Sequence, residues 1–274
     1  MTRADAPATL GVMEQAPSAA TADTPGVSEC LSSGMKTTTA HVGFFLTVWA
    51  MTGVPPQILG YVVGLSTGIS DQASIKAALE GQNWPALALL AALTTIGMAL
   101  GLLGYVATVI ACARIQRGEA PPSAGDAVLE AVGAIVRVAL ASALVGVTVV
   151  FGFGLLVVPG VYLLVRLSMA GFSSIVEETG PVDAFARSWK LVDGRFTDTL
   201  IFMLALFGAA FVGMMGVVAV GGVLKIATSP LGSVGALAAG LAGGALQFLV
   251  SAWATAAMTK YFLALAELHP RAAA

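Results

Sequence analysis

Residues 157–195 read VVPGVYLLVRLSMAGFSSIVEETGPVDAFARSWKLVDGR, and this stretch decides the fold. It begins as an apolar run that contains a single charged residue, Arg166. A polar break at Gly180-Pro181 follows, and then an amphipathic segment that ends near Gly194. This order predicts a helix that crosses a membrane and then a short helix on the membrane surface.

The composition of the whole chain points the same way. Of its 274 residues, 57% are hydrophobic and 10% are charged, and the mean hydropathy is +0.90. Soluble domains carry about 25% charged residues. The apolar residues here form uncharged runs near the roughly 20 residues that cross a hydrocarbon core about 30 Å thick. The sequence therefore predicts an all-α fold, a polytopic integral membrane helical bundle.

Several function classes lack support in the residues. The net charge is −2, so no basic face suggests nucleic acid. Cys30 and Cys112 lie far apart in different surroundings, and His41 and His269 are isolated from each other and from paired carboxylates. No catalytic, metal-binding or cofactor-binding residue is predicted.

Six spans are predicted, together with one or two short interfacial amphipathic helices. Residues 1–38 are rich in Ala, Thr, Ser and Pro and predict a disordered cytoplasmic tail. The six-span membrane domain covers 39–268, and 269–274 form a short C-terminal tail. Interfacial helices are predicted after Ser123 and after Gly180, at N-cap and helix-start signals. The spans are predicted at about 40–64, 86–113, 134–157, 159–177, 198–224 and 232–263.

The run from Val138 to Val176 must turn. It has 39 residues, which would make a helix about 60 Å long, twice the hydrocarbon core. Basic residues lie on both sides of it, and cytoplasmic loops collect such residues. Both flanks therefore belong on one side, and Pro159-Gly160 is the predicted hairpin turn.

Charge sidedness also predicts the orientation. Lys76 and Lys225 fall on the outer side, and Arg166 falls within a span. The other ten of the thirteen Lys and Arg residues fall on the side of both termini, which the bias predicts to be cytoplasmic: Arg3, Lys36, Arg114, Arg117, Arg137, Arg187, Lys190, Arg195, Lys260 and Arg271.

Three Gly/Pro positions are predicted as structural breaks. Pro55 and Pro56 interrupt the first span, either as a kink packed against neighbours or as a broken helix at a binding site. The other two breaks are Pro159-Gly160, and Gly180-Pro181 before the surface helix.

Arg166 allows two readings. An arginine at membrane depth costs at least about 2.5 kcal/mol, and acidic residues lie only in tails, loops or span ends, so none within a span pairs with it. In one reading it is structural and snorkels or caps carbonyl groups. In the other, Arg166 with Ser168 binds an anion such as a lipid headgroup or a solute.

The surface helix also allows two readings. Its aromatic residues either anchor it in the membrane interface, or its polar residues form a cytoplasmic surface for a protein partner. That candidate surface consists of Glu177, Glu178, Arg187, Trp189, Lys190 and Arg195.

The central stretch also carries a family resemblance. Its VPG, LLVRLSMA, GP and DAFARSW elements resemble the membrane domain of glycerophosphoryl diester phosphodiesterases, a six-span bacterial domain that also occurs without its hydrolase. The resemblance implies six spans in a bacterial inner membrane and no transfer of hydrolase activity, because the chain has no room for the catalytic barrel. The matching residues are Pro159, Gly160, Arg166, Ser168, Ala170, Glu178, Gly180, Pro181, Ala184, Ser188, Trp189 and Gly194.

Three functions remain open from the sequence. The favoured one is a non-enzymatic scaffold or regulatory module in membrane or envelope lipid processes, with membrane lipids and a membrane or cytoplasmic protein as partners. The second is a small-anion or lipid transporter that uses Arg166 and the broken helices. The third is an intramembrane lipid enzyme, for which no nucleophile or metal site is evident.

Overall fold

The computed structural model of the chain describes residues 25–68 and 72–270, and every regular element in those ranges is helical. A short 3₁₀ turn, Ser229–Leu231, precedes the last helix. The helices are α1 Val27–Ala40, α2 Val42–Thr52, α3 Val54–Thr67, α4 Gln72–Glu80, α5 Trp84–Gln116, α6 Ala124–Leu155, α7 Val157–Leu167, α8 Ala170–Val176, α9 Pro181–Leu191, α10 Phe196–Thr228 and α11 Gly232–Leu268.

Four stretches of the described ranges are long and apolar enough to cross a membrane: Trp84–Gln116, Ala124–Leu155, Val157–Val176 and Phe196–Leu268. The pair α2 and α3 meets the same criterion as one span with a bend of 40°. The predicted class, an all-helical protein with apolar segments long enough to cross a membrane, is therefore confirmed for four to five such stretches.

The longest stretch is a helical hairpin made by α10 and α11. The Oγ1 of Thr228 donates to the carbonyl of Gly235 at 3.0 Å, and the hydroxyls of Thr199 and Tyr261 lie 3.0 Å apart near the other end. Residue numbers thus rise on one helix as they fall on the other, so the two run antiparallel. A Cβ at Gly235 would lie 2.0 Å from the carbonyl oxygen of Thr228, so the turn requires glycine there.

The hairpin predicted within 138–176 exists, but its turn lies before Pro159-Gly160. Helix α6 ends at Leu155, and Leu156 has extended backbone before α7 begins. Pro159 lies in the first turn of α7, where a missing N–H is tolerated. Gly160 packs against α6, since a Cβ there would lie 2.5 Å from the ring of Phe153. The sequence predicted the turn to within a few residues. The difference arises because proline gives only a local preference for a helix start, whereas packing between α6 and α7 fixes where the chain turns.

Two predictions about interfacial and terminal segments were wrong. Helix α6 runs without interruption from Ala124, so no separate interfacial helix precedes the third span, although Ser123 caps it by accepting from the N–H of Asp126 at 3.1 Å. The predicted disordered tail, 1–38, overlaps α1, which is held by packing rather than by its own hydrophobicity. Residues 1–24, and 271–274 of the predicted C-terminal tail, lie outside the described residues.

Helix α1 packs against α11. The indole Nε1 of Trp253 donates to the carbonyl of Leu31 at 3.1 Å. At Gly34 the backbones approach so closely that a Cβ would lie 2.9 Å from the N of Ala257. Helix α1, which has few hydrophobic residues, is therefore held against α11 by a close contact at Gly34 and by a long-range hydrogen bond.

The first predicted span is bent near the predicted position. The break is at Gly53, and Pro55 and Pro56 follow in the first turn of α3, where their missing donors leave no α-helical hydrogen bond unmade. The indole of Trp49 lies against Gly53, because a Cβ there would come within 2.7 Å of the ring.

Helix α9 forms as predicted from Gly180-Pro181. Gly180 is its N-cap and Pro181 its first residue. Val182 on its outward side is 72% exposed. The buried face contains the small residues Ala184 and Ser188, which allow α9 to approach α6, α7 and α8 closely.

The buried core lies at one end of the bundle. It consists of the C-terminal halves of α5 and α11, the N-terminal parts of α6 and α10, and helices α8 and α9. Aromatic rings fill it, with Phe202 stacked on Tyr261 at 4.2 Å between ring centroids. The other half of the bundle leaves apolar side chains exposed, as expected of surfaces that face lipid.

Candidate functional site

Arg166 makes hydrogen bonds with the α9 region and with Tyr162 of its own helix. Its Nη1 donates to the Oδ1 of Asp193 at 3.0 Å and to the carbonyl of Trp189 at 3.2 Å. Its Nε donates to the hydroxyl of Tyr162 at 3.2 Å. The prediction that Arg166 has no acidic partner was therefore wrong, because Asp193, outside any span, reaches it from the turn after α9.

Two aromatic rings complete the surroundings of this guanidinium. Its central carbon is 5.5 Å from the ring centroid of Tyr162 and 5.1 Å from that of Trp189. The side chain of Arg166 is 13% exposed, whereas that of Asp193 is 72% exposed. Because the exposed carboxylate is screened by solvent, the ion pair contributes at most about 1 kcal/mol, and the ring contacts and carbonyl bond carry most of the interaction.

These contacts leave little of Arg166 for a foreign anion. Bidentate recognition of phosphate uses two neighbouring nitrogens of the guanidinium fork. Here Nε and Nη1 already donate within the protein, and the rings of Tyr162 and Trp189 lie against the group. The geometry favours the structural reading of Arg166.

Ser188, rather than Ser168, is the hydroxyl of this cluster. The Oγ of Ser168 donates to the carbonyl of Val165 at 2.8 Å, within its own helix. Ser188 is fully buried, and its Oγ accepts from the N–H of Met169 at 3.1 Å and donates to the carbonyl of Arg166 at 2.8 Å. It thus satisfies backbone groups released at the break between α7 and α8. The spacing of Ala184 and Ser188, one helical turn apart, was the sequence signal for this face.

A second link joins α8 to α9 through a bidentate ion pair. The Nε of Arg187 donates to both carboxylate oxygens of Glu177, at 3.2 and 3.1 Å, and Nη2 donates to Oε1 at 3.0 Å. The Oγ of Ser173 donates to the same carboxylate at 2.9 Å. The two charged side chains are 11% and 13% exposed, so this pair is internal.

The residues of the predicted interaction surface therefore do not form one exposed patch. Glu177, Arg187 and Trp189 are turned into contacts that hold α9, and Arg195 is half-buried at the start of α10. Glu178 and Lys190 are exposed. Sequence periodicity could not separate these groups, because pairing with α8 and α7 decides which charges face inward.

Basic residues gather at the end of the bundle that holds the core. Arg114 pairs with Glu130 at 2.7 Å, and the Nε of Arg137 donates to the carbonyl of Ser174 at 3.1 Å. Arg117 and Lys260 line a cavity at the same end, where α5 and α11 finish. The predicted sidedness of the charges therefore corresponds to one end of the folded bundle.

A small cavity lies beside the bend at Gly53. It has a volume of about 130 Å³ and lies among α2, α5 and α11. Five residues that carry hydroxyl groups line it: Thr52, Tyr105, Thr108, Ser251 and Thr255. Hydroxyl groups at a helix break are the kind of lining that a small polar solute or water can use.

Within residues 25–68 and 72–270, no group of three or more His, Cys, Asp or Glu side chains is arranged to hold a metal ion. Cys30 and Cys112 are both buried free thiols. Burial raises the pKa of the Cys30 thiol to about 11, with Glu29 adding to the rise and Lys260 opposing it.

The chain matches no family model, no curated protein and no solved structure with which it was compared. The resemblance to the phosphodiesterase membrane domain therefore stays a prediction drawn from its central residues.

Proposed function

We propose that the chain is a six-span integral membrane protein whose basic end lies in the cytoplasm. The stretch Phe196–Leu268 supports the sixth span, since its 73 residues would extend about 110 Å as one helix, well beyond a core of about 30 Å. The antiparallel contacts of α10 and α11 are consistent with two crossings. The gathering of Lys and Arg at one end supports a cytoplasmic assignment for that end, in a bacterial inner membrane.

Accessible cysteines test this orientation. Lys190 lies at the basic end of the bundle. Glu80, at the end of α4, follows the bent pair α2 and α3 and lies at the opposite end. In intact cells, a membrane-impermeant maleimide should label Glu80→Cys and should label Lys190→Cys only after permeabilisation. Wild-type protein is the control for background, because both native thiols are buried. The opposite pattern would reverse the assignment.

We further propose that the protein acts as a non-enzymatic scaffold or regulatory module that presents α9 to a protein partner. The observation that carries this proposal is the rigid attachment of α9, through the Arg166 cluster, the buried Ser188 and the Glu177–Arg187 pair. A helix held at three points offers a preformed surface, which lowers the entropic cost of binding.

The outward face of α9 has the chemistry of a small protein contact. Val182 and Ala186 are exposed one helical turn apart, and Asp183 and Lys190 flank them with opposite charges. Paired opposite charges give register to a partner of complementary charge. A neutral, purely apolar strip would instead suit lipid.

Photocrosslinking in cells tests the scaffold proposal. A photoreactive residue at position 190 should yield a discrete protein adduct, and the same residue at position 80, on the other end, should not. The adduct should weaken in the Arg166→Gln background, because α9 then loses one of its attachments. Adducts with lipid alone at position 190 would exclude a protein partner on this face.

The second candidate function is passage of a small polar solute, and the hydroxyl-lined cavity at Gly53 favours it. A discontinuous span beside a binding cavity is a feature of transporters. Arg166 takes no part in this version, because its contacts are with α7 and the α9 region. Uptake of phosphate by vesicles containing the purified protein should fall in Thr108→Val if the cavity conducts, and Thr94→Val, at an exposed position, is the matched control.

A further inference from the structure

A cavity of about 310 Å³ opens at the basic end of the bundle, between the end of α5 and the last turns of α11. Its size falls at the lower end of small-molecule pockets, which measure about 300–1,000 Å³. Gln116 and Arg117 line it from α5, and Lys260 and Glu267 line it from α11, together with apolar residues such as Leu263. The cavity therefore combines charged groups with an apolar wall at the level where spans end.

Arg117 and Lys260 differ from those arginines at this end that form ion pairs with carboxylates. Arg114, Arg166 and Arg187 at this end of the bundle each have a carboxylate partner within 4.0 Å. Among the residues that the structure describes, neither Arg117 nor Lys260 has one. Two cations at one cavity without such partners favour binding of an anion.

Gln116 favours a ligand that carries a hydrogen-bond donor. Its Nε2 donates to the carbonyl of Ala256 at 2.7 Å, which fixes the orientation of the amide. Its Oε1 is buried and finds no hydrogen-bond partner in the described part of the chain. A buried acceptor without a donor is unfavourable, so a ligand that donates a hydrogen bond here would be stabilised. Glu267 is a second acceptor on the same cavity.

We propose that this cavity binds the headgroup of a phospholipid, with the phosphodiester at Arg117 and Lys260 and a headgroup hydroxyl donating to Gln116 Oε1 or Glu267. Two positive and one negative side chain leave one net positive charge, which matches the single negative charge of a phosphodiester. A phosphatidylglycerol headgroup supplies both the charge and the donors. A phosphatidylcholine headgroup has the phosphate but no donor.

Lipid retention by the full-length protein tests the proposal. Protein purified in detergent and stripped of lipid is titrated with phosphatidylglycerol, phosphatidylcholine or inorganic phosphate, and bound species are counted by native mass spectrometry. We expect phosphatidylglycerol to bind best. Arg117→Gln and Lys260→Gln should each weaken its binding about tenfold or more, as loss of a charged hydrogen bond does. Lys76→Gln, at the other end of the bundle, removes the same charge and should not.

A donor-specific variant separates headgroup recognition from general attraction of anions. Gln116→Leu should reduce binding of phosphatidylglycerol and leave that of phosphatidylcholine unchanged. Lys260→Arg keeps the charge and should retain lipid, which distinguishes a lost contact from a misfolded protein. Equal retention of the two lipids, or full retention by folded Arg117→Gln and Lys260→Gln, would overturn the proposal. Binding of inorganic phosphate without lipid preference would assign the site to a free anion instead.

Discussion

At the scale of single residues, the side chains around Arg166, rather than its position along an apolar run, explain its role. The sequence places one arginine in an apolar run, and the structure supplies Asp193, Trp189 and Tyr162 as its partners. Trp189 lies in α9, Asp193 lies in the polar turn after it, and Tyr162 lies one turn earlier in α7. The arginine therefore joins a span to its neighbouring helix.

Replacing Arg166 should destabilise the protein by a moderate amount. In Arg166→Gln the carbonyl bond to Trp189 and the contacts with two rings are lost, while the exposed Asp193 stays solvated. We expect the free energy of unfolding to fall by about 1–3 kcal/mol, with little recovery in Arg166→Lys because an ammonium cannot reproduce the planar fork. Denaturant titration in detergent measures this. Lys190→Gln, an exposed control, should change the value by less than about 0.5 kcal/mol.

Breaking the ion pair between Glu177 and Arg187 should lower the free energy of unfolding more than the loss of Arg166 does. Glu177→Gln leaves a guanidinium nearly buried without its counter-charge, which costs about 3–5 kcal/mol in such pairs. Glu177→Gln combined with Arg187→Met should recover part of the loss, because no unpaired charge then remains. Additive effects of the two single changes in a double-mutant cycle would argue against direct coupling.

Cys30 should make stability depend on alkaline pH. Its folded-state pKa of about 11 lies above the ordinary 9.0 because the thiol is buried. Between these values the unfolded thiol releases its proton while the folded one keeps it, so the stabilising contribution is complete below pH 9 and is lost as pH rises toward 11. The wild type should therefore lose more stability than Cys30→Ala over this window. Parallel curves for the two proteins would contradict the expectation.

At the scale of elements, α1 depends on one close contact. A Cβ at Gly34 would lie 2.9 Å from backbone atoms of α11, and neither backbone can move away easily. Gly34→Ala should therefore destabilise the docking of α1 by about 1–3 kcal/mol, seen as faster proteolysis within α1. Gly43→Ala is the matched control, because nothing lies within 4 Å of its added carbon and alanine favours a helix.

Helix α9 illustrates how far sequence patterns reach at this scale. Gly180-Pro181 and the alternation of polar and apolar residues predicted its existence and its start. The sequence did not predict which residues pack against the bundle: Ala184 and Ser188 contact the neighbouring helices, while Val182 is 72% exposed. Small residues carry little hydrophobic signal, yet they decide where two helices come closest.

At the scale of the whole molecule, the number of spans decides where the termini lie. Six spans place both ends of the chain on one side, whereas five spans would place them on opposite sides. Reporter fusions at the two termini should therefore both report the cytoplasm. A reporter that is cytoplasmic at one end and external at the other would contradict six spans and would indicate an odd number of crossings, as when the bent pair α2 and α3 does not cross.

The sequence by itself determined the all-helical class with apolar segments long enough to cross a membrane, the gathering of basic residues at one end and the presence of α9. These follow from composition, charge order and local helix signals, all of which are properties of neighbouring residues. The tertiary structure alone decided that the hairpin turns at Leu156, that α1 is ordered against α11, and that Asp193 meets Arg166. Each of these depends on which helices come close in space, and packing distances between segments far apart in the chain are not encoded in local pattern.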